Sequence, residues 1–497
     1  MNDHATSRVH GTLWLLALFA AAKVLVHALV GEGYGYFRDE FYYIACSDHL
    51  AWGYVDQPPL TPFLARLTDP FGYALPVLRL LPALSIGAIF AFAAAFARRF
   101  GGGYFAQVLA ALAVAMAAIF LTIGHLLSTT TLDVLIWVVL VYLVVRITHT
   151  DDHRWWLLVG AVAGLGLLNK WTVLYVVGGL GVGLALTEHR RVFRSPFLWA
   201  GAALAFANWL PNLLWQASHD WPFFDMAGSL YAEGVDDANA FLFVPAQILF
   251  IGPVALPVWI VGLRAFFRDA AMRRYRFVGW AFLVLAFVFV AVSAKPYFLA
   301  PLYVPVLGAG AVVVERWLPR RRRLTKGRIL AAVGLGGLAV LPLALPVLPA
   351  TTLAGTPITE INPELAETHG WVAFVEQVAS AYEAAVPADR RSEAVVFTAS
   401  YGEAGAIDLY GPRMGLPPAS SGHNTYWLWG PPDGEPVLIV GSFPPGYLDE
   451  RFVGVRRVGT IENPAGLENE EHLAPIWLAE RPRGSWHRIW PTLRHFN

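Results

Sequence analysis

The sequence predicts a polytopic α-helical membrane protein carrying a small C-terminal α/β domain. Three observations predict it. The 497-residue chain is 56% hydrophobic and 14% charged, with a mean hydropathy of +0.51, whereas soluble proteins carry about a quarter charged residues. Apolar stretches near the roughly 20 residues that cross a bilayer recur from residue 11 to residue 349. Beyond about residue 350 charges return and no apolar run is long enough to span. Such a composition fits poorly with disorder, a coiled coil or a nucleic-acid binder. The single cysteine, Cys46, excludes an intrachain disulfide. Four lysines against 32 arginines, with abundant Ala and Gly, read as a GC-rich bacterial coding sequence.

The apolar runs predict eleven spans, at about 11–30, 77–97, 103–122, 131–148, 155–169, 171–187, 196–212, 241–263, 277–293, 298–315 and 328–348. They make a membrane domain over 1–349 with a long first outer loop at 31–76. The 155–187 pair is short, and reads as two spans or as a partly re-entrant segment. The first run is not a cleaved signal peptide, because it is long, contains Lys23 and His27, and ends in Gly-Glu-Gly-Tyr. With a cytoplasmic N-terminus the inside loops hold nineteen basic residues, including the run Arg320–Arg323, and the outer loops only Arg38, Arg66, Lys170 and Lys295. The positive-inside rule then places the C-terminal segment outside a plasma membrane, and makes the arginine run a topogenic anchor rather than a ligand patch.

The segment 350–497 reads as the small extracytoplasmic α/β domain. Residues 364–385 have helical spacing of Leu365, Val372, Val375, Val378 and Tyr382. Residues 394–399 and 437–440 read as short buried strands. Residues 398–405 look like a strand, tight turn and helix start without a dinucleotide fingerprint. The aromatic loop 421–430 reads as domain packing, or as a platform that stacks on a sugar.

The first outer loop is the most informative stretch. It runs Gly35-Tyr36-Phe37-Arg38-Asp39-Glu40-Phe41-Tyr42-Tyr43 and continues to Asp56-Gln57-Pro58-Pro59-Leu60. Two adjacent carboxylates beside apolar surface form a candidate general base, since partial burial and a like charge both raise a carboxyl pKa. The plain alternative is a solvated loop with one Arg38–Asp39 ion pair. Lys170 and Lys295 close apolar runs, where an ionisable residue is a functional candidate or a side chain snorkelling to the interface. Tyr297 is a hydrogen-bond donor beside Lys295, or an interfacial anchor. Asp133, at the mouth of the run 131–148 near His125, either faces a cavity or caps a helix.

Asp39-Glu40 after the first span, followed by Asp56-Gln57-Pro58-Pro59-Leu60, resembles the start of glycosyltransferase family 39. This family of GT-C fold includes protein O-mannosyltransferases and lipid A aminoarabinose transferases. Thr130-Thr131-Leu132-Asp133, Gly166-Leu167-Leu168-Asn169-Lys170, Pro211-Asn212-Leu213-Leu214-Trp215 and the stretch from Lys295 to Tyr303 extend the likeness over about residues 12–315. The resemblance implies an inverting transferase that takes a sugar from a polyprenyl-phosphate donor in the bilayer and passes it to an outer acceptor hydroxyl. It puts the catalytic base on Asp39, with Glu40 as its neighbour or a sugar contact. Lys170, Lys295, Tyr297, Arg38 and Arg66 become candidates for the donor phosphate, and Asp133 and Asp56 for substrate hydroxyls. A phosphate leaves as a stable anion, so one carboxylate suffices, unlike the carboxyl pair of hydrolases. Some relatives bind zinc or another divalent ion, but His125, His219 and Asp220 do not form a ligand set, so no cofactor is assigned. Two rivals from other classes are a lipid or sugar transporter or flippase, which would concentrate its functional residues near the membrane midplane, and a noncatalytic assembly factor. The donor sugar and the acceptor (lipid, polysaccharide or protein) have no readable motif.

Overall fold

The computed structural model describes residues 34–232, 237–318 and 322–497. The predicted first span at 11–30, with Lys23 and His27, lies outside them, as do Arg320 and Arg321. The chain forms two compact units. Among the described residues the membrane unit comprises 79–215 and 230–345, and the sheet unit comprises 34–78, 216–229 and 346–497. The first outer loop therefore belongs to the same compact unit as the C-terminal segment.

Helices occupy the ten apolar runs between 77 and 348. Among the described residues six are long and apolar enough to cross a bilayer: Leu75–Arg99, Thr129–Thr150, Pro196–Ser218, Ala270–Ala291, Pro296–Trp317 and Arg323–Ala344. Trp155–Leu167 and Val173–Ala185 are shorter. At 1.5 Å per residue each reaches about 20 Å, short of a hydrocarbon core about 30 Å thick. The run 241–263 is not one straight helix, because Phe241–Ile251 and Leu256–Arg268 meet at 110°. The break falls at Gly252, whose φ is +83°, followed by Pro253, which has no amide hydrogen and disfavours helical geometry in the residue before it.

Small residues let these helices pack backbone to backbone. A Cβ on Gly262 would lie 2.0 Å from the Val306 carbonyl oxygen, and one on Gly310 1.9 Å from that of Val258. Only glycine permits that approach between Leu256–Arg268 and Tyr303–Trp317.

The loops join in two sets. Tyr275 donates to the Arg99 carbonyl at 3.3 Å and lies 3.1 Å from His149, His189 contacts the Arg274 carbonyl at 2.8 Å, Arg316 pairs with Asp269 at 2.7 Å, and the Gly103 amide donates to Glu315 at 2.5 Å. These are the arginine-rich connections. In the other set, Asn169 donates to the Thr129 carbonyl at 2.8 Å, Trp171 to Asn212 at 2.9 Å and Gln247 to the Pro296 carbonyl at 3.1 Å. The basic connections are thus joined to one another, and the connections carrying Thr129, Asn169 and Asn212 to one another.

The sheet unit is built on a five-stranded sheet in the order Ala419–Ser421, Val395–Thr398, Val437–Val440, Pro475–Ala479, Arg456–Thr460. The first three strands are parallel and the last two antiparallel to their neighbours. Val395–Thr398 and Val437–Val440 are buried throughout, as continuous apolar runs in a parallel sheet should be. The predicted helix 364–385 is instead a 3-10 turn, Pro363–Thr368, and a helix, Trp371–Ala385. Gly370, at φ +98°, separates them, a conformation that glycine alone adopts cheaply. Against this frame the helix Tyr401–Tyr410 packs on Arg38–Asp48.

Candidate active site

The helix Arg38–Asp48 opens with Arg38, Asp39 and Glu40. Glu40 is fully buried, and its carboxylate accepts from the Phe37 amide at 2.9 Å, closing the first turn. The site residue expected as a catalytic partner thus secures the helix start, where carboxylates are favoured by the exposed amides. Arg38 forms an ion pair with Glu470. Asp39 accepts a hydrogen bond from the Tyr401 hydroxyl at 2.8 Å.

Asp56 is held in the same unit. The Tyr42 hydroxyl donates to it at 2.8 Å and lies 2.5 Å from the Thr425 hydroxyl, which also accepts from the Val55 amide at 3.1 Å. Tyr42 stacks on Tyr401, with ring centroids 4.5 Å apart. Burial pushes the Asp56 carboxyl up to about 7; the bond from Tyr42 opposes this and the charge of Asp39 adds to it. Burial also carries Glu403 up to about 8 and raises Glu367 and Glu471, each facing further carboxylates. The Tyr401 phenol is raised well above its ordinary range, chiefly by burial and then by Asp39, and so remains a donor.

Arg66 stands apart, paired with Asp48 at 2.5 Å and Asp69 at 3.6 Å on an exposed surface.

The membrane unit holds a second polar cluster. Asp133, 5% exposed, accepts from the Trp137 indole at 3.1 Å and the Thr172 hydroxyl at 2.7 Å. The helix it belongs to is capped by Ser128, whose side chain accepts from the Thr131 amide, so capping is not the task of Asp133. Lys170 donates to Thr130 at 3.1 Å, is near enough to Asp133 to act on its charge, and lies over the rings of Tyr297 and Phe298 at 5.8 and 5.5 Å. Lys295 is exposed one residue before the turn that carries Tyr297. Among the described residues no three His, Cys, Asp or Glu side chains converge as a metal set, and His125 is buried.

Of the residues singled out in the sequence, the structure therefore joins Arg38, Asp39, Glu40 and Asp56 in one unit, and Asp133, Lys170 and Tyr297 in the other. Sequence reasoning does not single out Tyr42, Tyr401 and Thr425 in the first, or Thr172 and Trp137 in the second. For Trp137 a signal exists, its i, i+4 spacing from Asp133. For Tyr401, 362 residues from Asp39, there is none.

Residues 56–215, about a third of the chain, match the family described as dolichyl-phosphate-mannose-protein mannosyltransferase. The crystal structure of ArnT from Cupriavidus metallidurans in the apo state is similar with a TM-score of 0.60 at 16% identity, covering 94% of this chain and 98% of that one. The structure of ArnT from Cupriavidus metallidurans bound to undecaprenyl phosphate gives a TM-score of 0.60 at 15% identity over the same shares. No curated protein matches the chain significantly. The chain thus has the GT-C fold of the membrane glycosyltransferases, and its family match falls on the segment from Asp56 to Trp215.

Proposed function

We propose that the chain is an inverting glycosyltransferase that moves a sugar from a polyprenyl-phosphate donor to an acceptor hydroxyl on the extracytoplasmic side of a bacterial plasma membrane. The observation that carries this reading is the ordered Asp39 carboxylate, held by Tyr401 at the start of a capped helix. It belongs to a chain with the fold of a protein crystallised with undecaprenyl phosphate. The two sets of joined loops support the orientation, the arginine-rich set being cytoplasmic. On this reading 1–349 is the transferase domain, and 350–497, in one compact unit with the loop 31–76, is extracytoplasmic.

In the reaction Asp39 takes the acceptor proton as the acceptor oxygen bonds to the anomeric carbon. The bond from that carbon to the phosphate oxygen breaks on the opposite face, the configuration inverts, and polyprenyl phosphate leaves as an anion. Lys170 and Lys295 are assigned to the phosphate, where cations stabilise charge that builds on leaving, with Tyr297 beside them. Arg38 and Arg66, already paired with carboxylates, are assigned structural pairing instead. Asp133 holds Thr172 and acts on Lys170. Asp56, titrating near neutrality, is assigned a substrate hydroxyl, and Glu40 orients Asp39 through the helix start.

The test is release of undecaprenyl phosphate from a panel of undecaprenyl-phosphate sugars, with crude envelope as acceptor. Asp39→Asn should lower turnover by about 10²–10⁴-fold while leaving donor binding intact. Normal turnover by that variant removes the mechanism. Vesicle uptake of labelled donor with no product would instead favour transport.

A further inference from the structure

We infer that Tyr401 is a positioning residue for Asp39, so that the C-terminal segment of the chain orients the proposed base. The inference rests on the glycosyltransferase reading and adds a residue to it. The Tyr401 hydroxyl donates to Asp39 Oδ1 at 2.8 Å, and every feature around it restricts where that hydroxyl can go. Tyr401 is the first residue of its helix, and the start of that helix is doubly secured. The Ser400 hydroxyl accepts from the Glu403 amide at 3.2 Å, and the Glu403 carboxylate accepts from the Ser400 amide at 2.9 Å, the reciprocal capping that fixes a first turn. The ring lies between Tyr42, stacked at 4.5 Å, and His423, at 4.6 Å. His423, kept neutral by burial and by His495, accepts from the Tyr401 amide at 3.4 Å.

The approach of the two helices is equally constrained. A Cβ on Gly402 would come within 2.8 Å of the Arg38 Cβ, and one on Gly405 within 2.8 Å of the Phe41 Cβ. Any side chain there would lift the Tyr401 helix off the Asp39 helix. A buried phenol needs a hydrogen-bond partner, and a backbone carbonyl would serve. Here the partner is the carboxylate to which the reaction assigns proton transfer.

A hydrogen bond to the charged form of a carboxylate favours that form, so removing the Tyr401 donor should disfavour the charged form of Asp39 relative to the unaltered protein. The other groups that act on Asp39 are Arg38 on its own helix, Asp56 from the following loop and Glu367 from the turn before Trp371. Glu470 and Glu403 lie next to these, facing Arg38 and each other. Asp39 thus faces the carboxylates of Asp56 and Glu367, behind which Glu470 and Glu471 act on Glu367, with Arg38 beside it, and Tyr401 adds a neutral donor at Oδ1.

The experiment compares the full-length protein with Tyr401→Phe, Tyr401 replaced by 3-fluorotyrosine, and Asp39→Asn, following undecaprenyl phosphate release across pH. Tyr401→Phe should lower kcat about 10- to 100-fold, as loss of a hydrogen bond to a charged group does, with KM for the donor within about twofold. The acid limb of its rate–pH profile should move to higher pH. Fluorotyrosine, which folds as tyrosine and donates more strongly, should move that limb to lower pH. If neither variant moves the limb while Asp39→Asn is inactive, the inference fails and the glycosyltransferase reading stands. A rise in KM alone, with kcat and the limb unmoved, likewise overturns the inference and spares the reading. Full activity of Asp39→Asn, or no release by the unaltered protein, overturns the reading and the inference together.

Discussion

The membrane unit and the sheet unit each bury carboxylates, and they surround them with different neighbours. In the membrane unit Asp133 has one oxygen on the Trp137 indole and the other on the Thr172 hydroxyl, with Lys170 supplying the opposite charge. In the sheet unit Asp39 accepts from Tyr401, Asp56 from Tyr42 and Glu403 from the Ser400 amide, while Glu367 and Glu471 each keep one buried oxygen without a hydrogen bond, and Arg38 is the cation among them. The membrane-unit carboxylate thus has a cation beside it, whereas Asp56, Glu367 and Glu471 of the sheet unit also face other carboxylates, and a like charge raises a carboxyl's proton affinity.

The largest effect that tests this contrast is at Asp133. Asp133→Leu leaves the Thr172 hydroxyl and the Trp137 indole N–H without their acceptor and the Lys170 charge without its nearby carboxylate, and should cost about 3–5 kcal/mol, read as loss of monodisperse protein in detergent. Asp133→Asn keeps an acceptor and should cost about 1–2 kcal/mol. Equal stability of the leucine variant and the unaltered protein would dissolve the distinction.

A smaller effect is expected at Asp56. Its folded pKa, near 7, lies above the unfolded value near 4. Between those values the folded state binds more protons, so stability is highest below about pH 4, falls as pH rises toward 7, and stays low above. Asp56→Asn removes this loss. Its Tm should exceed that of the unaltered protein by a few degrees at pH 8 and match it at pH 4.5, provided Asn keeps the bond from Tyr42. A uniform offset at both pH values would show that the carboxyl is not strained by charge. The smallest effect belongs to Arg66→Ala. The exposed Arg66–Asp48 pair is screened by water and salt, so neither Tm nor turnover should change. A loss of turnover would return Arg66 to the donor phosphate.

How much of this is legible in the sequence follows the reach of each signal. Hydropathy is local and cumulative, so the ten apolar runs from 77 to 348 emerge as helices. The same averaging conceals the break at Gly252-Pro253, where two residues redirect a helix whose mean apolarity is unaltered. Burial of Val395–Thr398 and Val437–Val440 is readable from their uninterrupted apolar character. The GT-C fold is carried by ordered motifs rather than by periodicity. At the site, Asp39 and Asp56 stand out because carboxylates among aromatics are conspicuous. Glu40 passes for chemistry in the sequence because the helix start has Phe37 where a Ser or Thr would announce a reciprocal cap. Tyr42 is visible as an aromatic, but nothing local says that it reaches Thr425 across 383 positions.

The Tyr401–Asp39 bond also sets an order in time. The two residues lie 362 positions apart, so at about 5–20 residues per second the ribosome completes the second roughly 20–70 s after the first. Throughout that interval the acidic helix start and the apolar flank of Phe41 have no Tyr401 helix to cover them. A chain interrupted anywhere before residue 401 lacks the donor proposed to aim its carboxylate, so incomplete products should turn over at least about 10- to 100-fold more slowly.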